Sequence, residues 1–169
     1  MCRKKPYFPM FVDISEKRIV VIGGGKVAER RVDTLLKFAD DITVVSPEVS
    51  EGIRQKAKEK KIRWIPEAFC ADEGERKAKE GRLSDNGKDF LAGADMVIAA
   101  TSDSACNELV MRICRKRKIP VNVSHKKELC DFYFPAAVVK DNVTVGITSG
   151  GQSHAQARKI REQVETALE

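Results

Sequence analysis

The feature that most constrains the fold of this 169-residue chain is a run of three glycines that follows an apolar segment. Residues 17–22 (Lys-Arg-Ile-Val-Val-Ile) end in four β-branched residues, which is typical of a buried parallel strand. Residues 23–28 (Gly-Gly-Gly-Lys-Val-Ala) follow and fit the pattern G-x-G-x-x-G/A. In this pattern Gly23 permits a tight turn, Gly25 lets a pyrophosphate approach the backbone, and Ala28 allows close helix–strand packing. The sequence therefore predicts a strand–turn–helix unit that binds dinucleotide phosphates at the N-terminus of the helix.

The rest of the first 123 residues alternates between strand and helix patterns. We predict helices over 26–38, 50–60 and 104–117, and strands over 42–45, 62–65, 95–100 and 120–123. In the first helix, Val27 belongs to the predicted apolar face. Residues 71–88 are rich in charged residues and glycine, and we predict a surface excursion there. The order of elements favours an α/β fold with a Rossmann-type doubly wound parallel sheet.

The character of the sequence changes after residue 123. Two strands over 132–139 and 143–148, joined like a hairpin, and a final helix over 155–168 are predicted here. We therefore divide the chain into a dinucleotide-binding domain, residues 1–123, and a small α+β dimerisation region with the start of a helical substrate-covering segment, residues 124–169. Two strands and one helix cover their own apolar faces poorly, which favours a homodimer.

The charge of the chain points to an anionic ligand. Its formal net charge is +6, and basic residues cluster at 112–118, 126–127 and 158–161. Such clusters attract nucleic acid or a polyanionic small molecule. One tryptophan and two tyrosines, none of them interleaved with the basic clusters, provide no surface for stacking bases. We therefore expect a small anionic ligand and no nucleic acid.

The cysteines and the hydropathy pattern exclude other classes of protein. The five cysteines are odd in number and form no C-x-x-C pair, so we expect free thiols and no metal site. The sequence contains no run of about 18 apolar residues, which is the pattern that would predict a membrane span. The basic start of the chain is not followed by an apolar stretch typical of a secretory signal. These observations favour a cytoplasmic protein.

Two predicted strand ends supply further candidate cofactor residues. Ser46, Pro47 and Glu48 stand where this fold usually carries a ribose-binding acid. No arginine adjoins them to receive a 2′-phosphate, which favours NAD over NADP. Thr101 and Ser102 follow the fourth strand at the predicted ligand crevice, although Ser102 or the next residue could equally cap the following helix.

A second group of polar residues begins at the carboxyl end of the fifth predicted strand. Asn122, Ser124, His125 and Asp131 would lie near the nicotinamide position. The imidazole of His125 could act there as an acid or a base. The alternative is a solvated loop histidine with no role in chemistry.

Several segments together resemble the precorrin-2 dehydrogenase family, which forms the dehydrogenase domain of siroheme synthase. The matching segments are residues 7–13, 23–30, 44–47, 99–103, 121–123, 130–135 (Cys-Asp-Phe-Tyr-Phe-Pro) and 149–153 (Ser-Gly-Gly-Gln-Ser). The resemblance implies homodimeric enzymes that oxidise precorrin-2 to sirohydrochlorin with NAD. Some members also insert ferrous iron, so a bifunctional dehydrogenase and ferrochelatase is one alternative. A non-catalytic dinucleotide-sensing module is another.

The resemblance also implies residue roles. It places Lys26, Val27, Pro47 and Glu48 on the cofactor, and Ser149 near the tetrapyrrole.

Our candidate substrate-binding residues are Ser124, Ser149 and Ser153. Where the family commonly carries an aspartate, two residues beyond Asn-Val, this chain has His125. We therefore take His125, Asp103 and Asp131 as the candidate catalytic residues.

Overall fold

The computed structural model describes residues 6–69 and 89–168. The predicted excursion at 71–88 lies outside the described residues. A five-stranded parallel sheet has the strand order β3-β2-β1-β4-β5. Its strands are β1 (Ile19–Ile22), β2 (Ile42–Val45), β3 (Arg63–Ile65), β4 (Met96–Ala99) and β5 (Val121–Val123). Its helices are α1 (Lys26–Leu35), α2 (Glu51–Lys58) and α3 (Ser104–Lys116). This order is that of a doubly wound sheet, so the predicted fold class is confirmed.

The central strands are apolar because helices cover both faces of a parallel sheet. All four residues of β1 and of β2 are buried, and α3 packs Val110 and Cys114 against Val97 and Val121 in one apolar cluster. No helix among the described residues is long and apolar enough to cross a membrane.

The apolar face of α1 differs from the prediction at one residue. The buried residues are Ala28, Val32 and Leu35, which lie four and then three residues apart on one helical face. Val27 is 38% exposed. One residue corresponds to about 100° around a helix, so a side chain next to the buried row turns away from the sheet. The prediction that Val27 faces the core was wrong.

The contacts divide the chain into two compact units. The larger is Asp13–Phe132, and the smaller combines residues 6–12 with 133–168. The smaller unit contains the antiparallel strands β6 (Ala136–Lys140) and β7 (Val143–Ile147) and the helix α4 (His154–Ala167). Within it, the hydroxyl oxygens of Tyr7 and Tyr133 lie 2.7 Å apart.

This division falls nine residues later than the boundary we expected at 123/124, since it places residues up to Phe132 in the larger unit. Hydrogen bonds give the physical reason. The backbone N–H of Asp131 donates to the carbonyl oxygen of Val121 at 2.9 Å. The side-chain amide of Asn122 donates to the carbonyl oxygen of Phe132, also at 2.9 Å. The segment after β5 is thus fastened back onto β5.

Candidate functional site

A cleft of about 350 Å³ lies at the carboxyl ends of β1, β2 and β4. In the strand register Ile22 is level with both Val45 and Ala99, so the three strands end at the same edge. The segments that follow them, residues 23–25, 46–48 and 101–103, all line the cleft. The strand order reverses between β1 and β4, which is where doubly wound sheets bind ligands.

The three glycines contribute to the cleft in different ways. Gly23 has a φ of +114°, and a Cβ there would lie 2.5 Å from the carbonyl oxygen of Ala100. A Cβ on Gly24 would clash with the carbonyl oxygen of Glu48. At Gly25 a Cβ would meet no atom within 4 Å. Packing therefore requires the first two glycines, whereas the third leaves open space. We did not assign Gly24 from the sequence. The pattern requires glycine at positions 23 and 25 only, so the additional glycine at the variable position 24 could have drawn attention to this residue.

The N-terminus of α1 has no side-chain cap. Ser50 accepts a backbone N–H at the start of α2, Asp103 at the start of α3 and Ser153 at the start of α4. Gly25 caps α1 without any such bond. The first N–H groups of α1 are thus left for solvent or an anion, and the helix dipole favours negative charge there. This geometry fits the diphosphate of a dinucleotide.

The wall after β2 is fixed by hydrogen bonds. The buried hydroxyl of Ser46 donates to the carbonyl oxygen of Glu48 at 2.7 Å. The indole N–H of Trp64 donates to the carbonyl oxygen of Ser46 at 2.9 Å. Ser46 therefore shapes the loop, and the exposed residues of this wall are Pro47 and Glu48.

The wall after β4 depends on a residue that we did not assign from the sequence. Asn107 is fully buried in α3, and its Oδ1 accepts the backbone N–H of Thr101 at 3.0 Å. Its Nδ2 donates to the carbonyl oxygen of Thr101, also at 3.0 Å. The only sequence signal is an amide one residue after Cys106 and three before Val110, both of which are buried.

Asp103 caps α3, as the capping alternative predicted for this turn. Its carboxylate accepts the backbone N–H groups of Ala105 at 2.9 Å and Cys106 at 3.2 Å. Ser102 is exposed at the cleft. Both residues line the cleft, so Asp103 combines a capping role with a position on the cleft wall.

The chain that follows β5 contributes polar residues at both ends of that strand. Ser124 donates its backbone N–H to the carbonyl oxygen of Ala99, at the end of β4. The exposed His125 follows, and its Nδ1 lies 3.3 Å from Nδ2 of Asn107. Ser124 and His125 do not themselves line the cleft, but His125 shares a side-chain contact with the wall that contains Thr101.

Asp131 and Asn122 lie elsewhere. Asp131 accepts the backbone N–H of Val121, the first residue of β5, at 3.1 Å, and its other oxygen lies 3.5 Å from Nε of Arg115. The side-chain amide of Asn122 is hydrogen-bonded to the carbonyl oxygen of Phe132. Neither Asp131 nor Asn122 lines the cleft. The structure thus does not bring Asp131 together with His125, because the carboxylate is held at the amino end of β5. We do not carry Asp131 forward as a catalytic candidate.

The remaining predicted residues occupy other positions. Lys26 and Val27 are exposed in the first turn of α1. Ser149 and Ser153 belong to the smaller unit. There the hydroxyl of Ser149 accepts the backbone N–H of Ser153 at 3.0 Å, and Ser153 caps α4. Ser149 therefore has a structural role in the turn that precedes α4.

The described cysteines form no disulfide, and two of them have raised pKa values. Burial raises the pKa of the Cys114 thiol to about 12 and raises that of Cys130 above its usual value. Both are protonated at neutral pH, when a thiol is a poor nucleophile. Within residues 6–69 and 89–168, no group of three or more His, Cys, Asp or Glu side chains could hold a metal ion.

The doubly wound sheet, the glycine turn and the uncapped helix define a dinucleotide-binding α/β protein. A model of an NAD(P)-binding family, NAD_binding_7, matches residues 10–136. The chain belongs to this family, and a nicotinamide dinucleotide is its cofactor.

Several curated proteins similar to this chain are siroheme synthases. Siroheme synthase 1 of Serratia proteamaculans (strain 568) is 33% identical over 96% of this chain and 30% of its own length. Siroheme synthase of Nitrosospira multiformis is 35% identical over 96% of this chain and 32% of its own length. The chain thus spans about a third of these relatives.

A solved structure has the same fold. It is described as "SirC, precorrin-2 dehydrogenase", with a TM-score of 0.75 and 23% identity over 96% of this chain and 71% of that one. This likeness confirms the predicted fold class.

Proposed function

We propose that this protein is an NAD-dependent precorrin-2 dehydrogenase that produces sirohydrochlorin. The observation that carries the proposal is the glycine turn with an uncapped helix, which opens onto a cleft at the reversal of strand order. The names of the similar proteins, siroheme synthase and precorrin-2 dehydrogenase, support this substrate. The net charge of +6 would attract a macrocycle that carries many carboxylates.

Different residues of the cleft would bind different parts of the cofactor. Gly23, Gly25 and the first N–H groups of α1 would hold the diphosphate. Glu48 would lie at the adenosine ribose, where a carboxylate accepts hydrogen bonds from hydroxyl groups and repels a 2′-phosphate. This preference selects NAD over NADP. Thr101 and Ser102 would line the nicotinamide half of the site.

The chemistry requires removal of two hydrogen atoms from the macrocycle. The bound NAD⁺ supplies the oxidising capacity for that removal. The residues of this chain position the two reactants and hold the acidic groups of the macrocycle. His125 is the side chain we assign to that second task, because it is exposed and hydrogen-bonded to Asn107 at the wall that contains Thr101.

Anaerobic incubation with precorrin-2 and NAD tests this function. We expect the visible spectrum to change to that of sirohydrochlorin while absorbance of NADH appears, one molecule for each macrocycle oxidised. The control is the same mixture without NAD. If the spectrum stays that of precorrin-2 although NAD binds to the protein, the proposed reaction is wrong.

We also propose that the protein is a homodimer that pairs through its smaller unit. Among the described residues this unit holds all the exposed large apolar side chains except Val27: Tyr7, Phe8, Met10, Phe11, Val12, Val139, Val143 and Ile160. Phe8 is 89% exposed and Phe11 is 70% exposed. Apolar side chains concentrated in this way are typical of protein interfaces.

Replacing Val143 by lysine should weaken the homodimer at least about 10-fold, because a charge would be buried without a partner. Sedimentation at micromolar concentration should then show a larger monomer fraction than in the wild type. The control is Lys37→Gln, which alters an exposed lysine of the larger unit. A wild-type protein that sediments as a monomer and is fully active would contradict the proposal.

A further inference from the structure

The orientation of the Asn107 side-chain amide is fixed by the backbone of Thr101. The N–H of Thr101 can only donate, so the atom 3.0 Å from it is the amide oxygen. The carbonyl oxygen of Thr101 can only accept, so the atom 3.0 Å from it is the amide nitrogen. An inverted amide would place donor against donor and acceptor against acceptor in a fully buried position.

This orientation determines which ring nitrogen of His125 carries the proton. One N–H of Asn107 points to Thr101, and the other is directed at Nδ1 of His125, 3.3 Å away. A nitrogen that receives a hydrogen bond has no proton of its own, so the proton of the neutral ring is on Nε2. We propose that Asn107 is a positioning residue that holds His125 as a hydrogen-bond donor through Nε2–H. The inference rests on the proposed function, in which the acceptor is a carboxylate of the anionic substrate.

A second contact joins the same helix to the same loop. Lys126, next to His125, lies 3.2 Å from the carboxylate of Glu108. Their side chains are 49% and 36% exposed, and exposed ion pairs contribute little. This contact can hold the loop near α3 but cannot select a tautomer. It therefore provides a control that separates loop position from ring chemistry.

Nitrogen-15 NMR of the imidazole rings tests the proposal without turnover. The chain has only two histidines, so His125→Ala assigns the signals and His154 serves as an internal reference. In alkaline buffer we expect the wild-type His125 to show Nε2 protonated and Nδ1 bare. In Asn107→Ala the two nitrogen shifts of His125 should move towards each other, as they do when tautomers exchange. Glu108→Gln should leave them unchanged.

The wild-type spectrum alone can overturn the proposal, even if Asn107→Ala does not fold. A proton on Nδ1, or an equal mixture of tautomers in the wild type, would contradict it. So would an unchanged His125 spectrum in folded Asn107→Ala, or in Asn107→Ser. If the spectra agree but precorrin-2 is not oxidised, the proposed function fails while the positioning role stands.

Kinetics then connect the tautomer with the reaction. We expect Asn107→Ala to lower kcat about 10-fold more in the wild-type background than in His125→Ala, because any change in the Thr101 wall is common to both backgrounds and only the first has a ring to position. Equal losses in both backgrounds would mean that Asn107 acts through the fold or through Thr101.

Discussion

Replacing Gly25 by aspartate should reduce NAD affinity by at least about 10²-fold. The open space at Gly25 is where the diphosphate would lie, and a carboxylate there would occupy the N–H groups that no other side chain caps. Two charge-assisted hydrogen bonds, at about 1.5–3 kcal/mol each, are sufficient for a loss of this size. Titration calorimetry with NAD measures the effect.

The same variant should fold normally. Gly25 has a φ of −82° and a ψ of −174°, which any residue adopts, and aspartate is a favourable N-cap. Gly25→Asn is the matched control, because it has nearly the same volume without the charge and should retain more affinity. Wild-type NAD affinity in Gly25→Asp would show that the cofactor binds elsewhere.

Replacing His125 by alanine should lower the rate of precorrin-2 oxidation by about 10²-fold. This is the usual size of an acid–base or charged hydrogen-bond contribution in an active site. NAD affinity should change less than about 2-fold, because the glycine turn is intact. Steady-state kinetics and calorimetry on the same preparation measure both quantities.

Two further substitutions at this position separate a donor from a base. Glutamine can still donate a hydrogen bond from its amide, whereas aspartate can only accept one when ionised. If His125 acts as a donor, His125→Gln should be faster than His125→Asp. The reverse order would show that the side chain accepts a proton, as an ionised carboxylate at this position could. Full activity in His125→Ala would leave His125 as a solvated loop residue.

Local patterns were sufficient to predict the sheet and its glycine turn. The strands are short runs of β-branched residues, and their alternation with amphipathic helices permits few topologies. The error at Val27 also comes from reasoning on local patterns. A helical pattern defines the buried face of the helix only to within about 100°, which corresponds to one residue. The predicted cofactor segments after β1, β2 and β4 line one cleft because parallel strands end at the same edge.

Contacts between distant side chains could not be predicted in this way. Tyr7 pairs with Tyr133, and Asn107 contacts His125 eighteen residues later. Neither contact follows a periodic pattern of residues that could be recognised in a single sequence. Asp131 looked similar to His125 in the sequence because both follow β5, yet the chain turns back between them and places Asp131 at the strand's start. Side-chain roles at the ends of strands therefore depend on the path of the loop.

The most direct measurement of the central claim uses Trp64, the only tryptophan of the chain. Its indole is hydrogen-bonded to Ser46 at the cleft, so NADH bound there would lie close enough to receive its excitation energy. We predict that adding NADH quenches the emission of Trp64 and sensitises that of NADH. We also predict that NADPH does so more weakly and that Gly25→Asp abolishes the effect. Energy transfer that is unchanged in Gly25→Asp, or absent in the wild type, would contradict a dinucleotide site in this cleft.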